Sequence, residues 1–223
     1  RQRQMCIRDR KKVILSFSLL SIFALTSCGG KTETVDANEP TETALATEGS
    51  VNYMVDAESS INWKGGKRFE DINKPEEGHV GFVKLSSGEV HMKDGVLESG
   101  KFIADFNTFE STDLNDSPED KAKLDGHLKS ADFLDVEKFP NATFEITTVK
   151  PLTEGDFNTE ISGNLDFRGT PKNITFRANV TVDGDKVTIK SEEFAINRQD
   201  FGITFTGGAG SIIKDEVILQ ADI

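Results

Sequence analysis

The chain has 223 residues, two cysteines and a formal net charge of −12. Six of its 26 basic residues and one of its 38 acidic residues precede Cys28, so the remainder carries 20 against 37 and a charge of −17. That acidity disfavours nucleic acid and anionic headgroups as partners. With no cysteine after Cys28, no disulfide framework staples the remainder, and a hydrophobic core must hold it.

The first element is a secretory signal. Arg8, Arg10, Lys11 and Lys12 precede an apolar run from Val13 to Leu25, which ends in Leu25-Thr26-Ser27-Cys28 and Gly29-Gly30. The run is too short to span a bilayer comfortably, and it has the charge, apolar core and small-residue end of a cleaved export signal. Leu25 to Cys28 resembles a lipobox, which makes residues 1–27 a signal peptide and Cys28 the lipidation site. Arg1 to Asp9 read poorly as native sequence and carry no weight. The implied location is the cell envelope, with the membrane as partner through lipid on Cys28 and the face, periplasmic or exterior, left open. Residues 29–50 are rich in Thr, Glu, Ala and Gly with hardly a large apolar side chain, so residues 28–50 read as a lipidated cysteine and a disordered acidic tether.

From Asn52 onward the apolar pattern has a period of two. Phe102, Ala104 and Phe106 alternate with Ile103, Asp105 and Asn107. Ile174, Phe176, Ala178, Val180 and Val182 alternate with Thr175, Arg177, Asn179 and Thr181. The pattern predicts antiparallel strands near 52–56, 60–65, 78–90, 96–107, 142–150, 157–168, 173–183, 186–196 and 212–221. Asp183-Gly184-Asp185 is the clearest hairpin turn. One helix interrupts the strands between Ser117 and Ser130: Ser117 is the cap, Pro118 suits the first turn, Asp120 approximates a capping box, and Leu124 and Leu128 share a face. Residues 51–223 therefore form one all-β domain, a barrel or a sandwich. Closing the sheet removes its edges, which favours the barrel.

Fourteen phenylalanines after Cys28, against one Trp and one Tyr, fill a core without needing polar partners. An eight-stranded barrel is also just wide enough to hold one small apolar ligand. Phe102, Phe106, Phe144, Phe167 and Phe176 are the candidate cavity residues.

Five ordered blocks resemble the YceI-like family. They include Gly78-His79-Val80-Gly81-Phe82, His127 to Val136, Phe139 to Phe144, Gly163 to Lys172, and Ile196 to Ile203 followed by Ile213 to Val217. The resemblance implies an exported, lipocalin-like antiparallel barrel around an elongated apolar cavity, with the helix near one opening. It further implies an isoprenoid lipid as ligand, a quinone or a polyprenyl phosphate. Leu134 stands where many members carry a second aromatic, and Trp63 where a smaller apolar residue is common. Both departures bear on cavity width.

The polar residues suggest no chemistry of their own. His79, His91 and His127 lack metal-ligand spacing, so no metal or cofactor is expected, and neither nucleophile nor catalytic triad stands out. His127 is expected to fix the helix to the barrel rim. Arg198 and Asp200, two apart on an expected strand, point the same way and form a candidate pair; the fork of donors on Arg198 also suits a phosphate. The reading is a non-enzymatic carrier of an isoprenoid lipid. The alternative is an interaction domain whose barrel is filled by its own side chains.

Overall fold

The computed structural model describes residues 32–223; the signal peptide and Cys28 lie outside the described residues. Twelve strands share one sheet. In chain order they are β1 (Val51–Met54), β2 (Ser60–Phe69), β3 (Glu77–Lys93), β4 (Val96–Asp105), β5 (Glu110–Ser111), β6 (Asn141–Pro151), β7 (Thr159–Phe167), β8 (Thr170–Asp183), β9 (Lys186–Ser191), β10 (Phe194–Asn197), β11 (Ser211–Ile213) and β12 (Glu216–Asp222). Among the described residues one α-helix, α1 (Pro118–Lys129), follows β5.

Eight of these strands close on themselves. β3, β4, β6, β7, β8, β9 and β12 pair in that order, β12 pairs with β2, and β2 returns to β3 through eight residue pairs from Ser60↔Lys84 to Lys67↔Glu77. The result is an antiparallel, lipocalin-like barrel. Hydrophobic alternation puts Ile174, Phe176 and Ala178 of β8 inside, all under a tenth exposed. A bulge between Leu85 and Ser87 moves the buried positions of β3 from Val83 and Leu85 to Val90 and Met92. One extra residue reverses which face a strand's side chains take, so the long strand serves two stretches of core.

The helix runs where the sequence places it, with Pro118 at its start and Glu119 and Asp120 in its first turn. The capping box is not made, since the Ser117 side chain donates to and accepts from no helix amide. Polar contacts hold the helix instead. Lys121 donates to the Ser111 carbonyl, and Asp125 accepts the Ser111 N–H at 2.9 Å. The strand expected over 186–196 is broken at Glu192 and Glu193 into β9 and β10, and that over 212–221 is broken at Lys214 and Asp215.

The described part of the expected tether, residues 32–50, is not disordered. It winds across the barrel wall as a strap. Val35 N–H donates to Ala195 O at 2.8 Å, and Ala195 N–H donates to Glu33 O at 3.0 Å. Asn38 and Asn173 exchange both backbone bonds at 2.9 Å, and Ala44 N–H reaches Ile146 O at 2.8 Å. The Asn173 side chain, on a residue 9% exposed, donates to Thr147 and to Asn164, which in turn accepts from Thr41 N–H. The strap has few apolar side chains to bury. It is held because diverging strands leave backbone groups that need partners.

Candidate functional site

The barrel is hollow. A cavity of about 550 Å³ runs from Ile61, Leu85, Ile189 and Ile223 up to an opening framed by α1, the Gly207-Gly208 loop and the ends of β2 and β3. Its walls are almost wholly aliphatic and aromatic. The volume lies within the range of small-molecule sites, roughly 300–1,000 Å³.

All five phenylalanines chosen from the sequence line this cavity. Phe106 and Phe167 meet at 5.6 Å between ring centroids, and Phe144 and Phe176 at 5.5 Å. The structure adds aromatics that strand alternation did not single out. Phe194 stacks on Phe176 at 4.7 Å with the rings 3° from parallel. Trp63 stacks on Phe109 at 4.7 Å. The indole occupies space that Gly81 leaves free, since a Cβ there would lie 2.7 Å from the ring. Phe194 belongs to the alternating pattern, whereas Phe109 and Phe205 lie outside the strands, where no period marks them.

The polar candidates separate. Arg198 is 2% exposed, and its guanidinium donates to Lys214 O at 2.9 Å, Ile203 O at 2.6 Å and Asp215 at 2.9 Å. Its expected partner Asp200 is exposed. Residues Arg198–Phe201 form a 3₁₀ turn rather than a strand, so residues two apart no longer share a side. His127 stands at the opening. Its Nε2 lies 3.0 Å from Asp132, and Phe133 and Phe205 stand nearly perpendicular to its ring at 5.1 and 5.2 Å. That bond ties the end of the helix to the segment after it. Arg168, in a left-handed turn at φ 55°, donates to Gly202 O and Ala131 O and joins two rim loops.

Sequence reasoning missed a second oriented imidazole. His79 Nδ1 lies 2.8 Å from Asp113 at the same opening. Burial raises the Asp113 pKa, but hydrogen bonds from His79 and the Val80 N–H outweigh it and leave the carboxyl below its ordinary value. The lysines at the opening are also paired, Lys67 with Glu77 at 2.9 Å and Lys214 with Glu76. Among the described residues no group of three or more His, Cys, Asp or Glu is placed to hold a metal. No described helix is long and apolar enough to cross a membrane.

A closed antiparallel barrel with an apolar lumen, a helix at its opening and no metal-ligating cluster among the described residues defines a lipocalin-like binding protein. The chain belongs to the YceI-like family, whose domain description matches residues 53–223. In general the family and fold match a lipid-binding barrel, and its members are typically proteins of the cell envelope. A protein YceI of Salmonella arizonae is 34% identical over 175 residues, covering 75% of this chain and 85% of the relative. The crystal structure of Burkholderia cenocepacia BcnA superposes with a TM-score of 0.56 at 21% identity, covering 75% of this chain and 98% of that one. A Campylobacter jejuni YceI structure aligns at 16% identity, 70% coverage of this chain and 84% of that one, and a TM-score of 0.42.

Proposed function

We propose that this protein binds an isoprenoid lipid, of the polyprenyl or quinone type, in the barrel cavity. It sequesters or carries that lipid as an exported lipoprotein anchored through Cys28, without catalysing a reaction. The observation that carries the reading is the apolar lumen of about 550 Å³, open at the α1 end. Burying a prenyl tail contributes roughly 0.8 kcal/mol per CH₂. A few prenyl units then outweigh the cost of association and give micromolar binding.

The opening favours an uncharged polar head. Lys67 and Lys214 are each neutralised by a carboxylate, and Arg198 spends its donors on two carbonyls and Asp215. A phosphate arriving there must compete with these partners. A quinone or hydroxyl head needs only hydrogen bonds, and the His79 and His127 rings stand at the opening to meet it.

Native mass spectrometry and lipid extraction of the purified protein test the proposal. The expected result is an isoprenoid in fixed ratio to protein. A folded protein taken from cells that contain such lipids, carrying none and taking up none, sinks the reading and favours an interaction domain.

A further inference from the structure

The barrel wall has a gap beside the cavity. β8 and β9 pair only from Ala178↔Ser191 to Asp183↔Lys186. Beyond Arg177, which is still tied to Glu192, β8 continues toward the opening without β10 as a hydrogen-bonded neighbour. The two edges meet again at the rim, where Arg168 donates to Gly202 O at 2.8 Å and Phe167 packs on Phe201 at 5.4 Å. Between these two ties the edges are bridged from inside by the Phe176–Phe194 stack and from outside by the strap. The strap pairs with β10 at Ala195 and, a few residues later, with β8 at Asn173. Two edges that bond to a crossing extended segment and not to each other leave a seam in the hydrogen-bonded wall, closed only by side chains and by that segment.

We propose that the β8–β10 seam is a lateral portal for the lipid tail and that residues 33–38 are its latch. The inference rests on the lipid-binding reading above. The latch suits a reversible closure because it is held chiefly by hydrogen bonds in water. Val35 is only half-buried against the core, and the flanking residues are exposed. Segments with few buried apolar contacts open at far lower cost than the core beneath them. When the strap lifts, the paired groups of Ala195 and Asn173 regain solvent. What then remains between the two edges is side-chain packing, the Phe176–Phe194 stack and, nearer the rim, Phe167 against Phe201 at 5.4 Å, on strands that no backbone bond joins among the described residues. The latch lies outside the family match, which starts at residue 53.

The only tryptophan of the chain, Trp63, lines the cavity and reports occupancy through quenching by a short prenylquinone. The full chain with Cys6 and Cys28 changed to Ser carries an Asn38→Cys, Asn173→Cys pair. Those positions face each other as a hydrogen-bonded antiparallel pair, about 5.5 Å between Cα atoms, within reach of a disulfide. Oxidation is expected to slow association and release together by about tenfold or more, the kinetic weight of roughly two backbone hydrogen bonds, with the dissociation constant unchanged. Reductant restores both rates. Val35→Asp, which replaces the one apolar contact of the latch with a charge, is expected to speed both rates by a similar factor.

Rates that do not respond to the disulfide overturn the portal and assign entry to the α1 end. Faster release alone in Val35→Asp, with weaker affinity, makes the strap a fixed seal and also overturns it. Absence of quenching in the unmodified protein overturns the lipid-binding reading itself. If Val35→Asp does not fold, the disulfide pair still decides.

Discussion

Arg198 donates to Asp215 across 2.9 Å, from the start of a 3₁₀ turn to the segment joining β11 and β12. The two other arms of the guanidinium take the carbonyls of Lys214 and Ile203. One buried side chain therefore closes the loop that borders the cavity opening.

Arg198→Ala is expected to weaken a phosphate-bearing and an uncharged isoprenoid equally and to lower thermal stability. Two carbonyls lose their donor, at a cost of about 2–3 kcal/mol. Asp215 is nearly half exposed, so its carboxylate recovers solvation and adds little. Paired affinity measurements and a melting curve check this; selective loss of the phosphate ligand with an unchanged melt contradicts it.

Gly163→Ala is expected to narrow the lumen. A Cβ at this position would lie 2.2 Å from the tip of the Phe144 ring and 2.8 Å from the Glu145 carbonyl. The ring must swing into the cavity, and the backbone contact leaves the strand strained, at about 1–3 kcal/mol. Isoprenoid affinity falls while the fold persists, as titration alongside circular dichroism would reveal. Unchanged affinity would mean that Phe144 has another place to go.

The alternation of Ile174, Phe176 and Ala178 made the barrel and the inward phenylalanines legible, because a strand's period is local. The Arg198–Asp215 pair was not legible. It depends on a 3₁₀ turn where a strand was expected and on two loops meeting across the opening. The strap was hidden for a related reason. Its own sequence is polar, and its partners Ala195, Asn173 and Ile146 are available only because neighbouring strands diverge there. Cavity residues outside the period, such as Phe109 and Phe205, carry no sequence mark of their position.

Export and acylation are expected at Cys28. Intact-mass analysis of the natively processed membrane form should begin at this residue with added acyl mass, and Cys28→Ser should release the protein from the membrane. A processed product with a free thiol would remove the anchor from the proposal while leaving the cavity untouched.

Glu98 gives the far end of the strap a dependence on pH. Its carboxylate accepts the Ser50 hydroxyl, the Thr47 hydroxyl at 2.8 Å and the Thr47 N–H at 3.2 Å. These bonds, the Ser50 hydroxyl first, hold its pKa below the ordinary 4.5, with Lys93 adding a smaller charge effect. Because the folded value is depressed, the stabilisation is fully present above the unfolded pKa and is lost as pH falls through the folded one. Amide exchange reads this directly: Ser50 N–H donates to Thr47 O at 3.1 Å and Ala44 N–H to Ile146 O. The Ser50 amide should lose protection in acid before the barrel does, and Glu98→Gln should loosen it already at neutral pH. Protection that persists until global unfolding would show that the strap does not depend on this carboxylate. If the strap moves as one element, prenylquinone release should quicken across the same interval, and the disulfide of the Asn38→Cys, Asn173→Cys variant should abolish that increase.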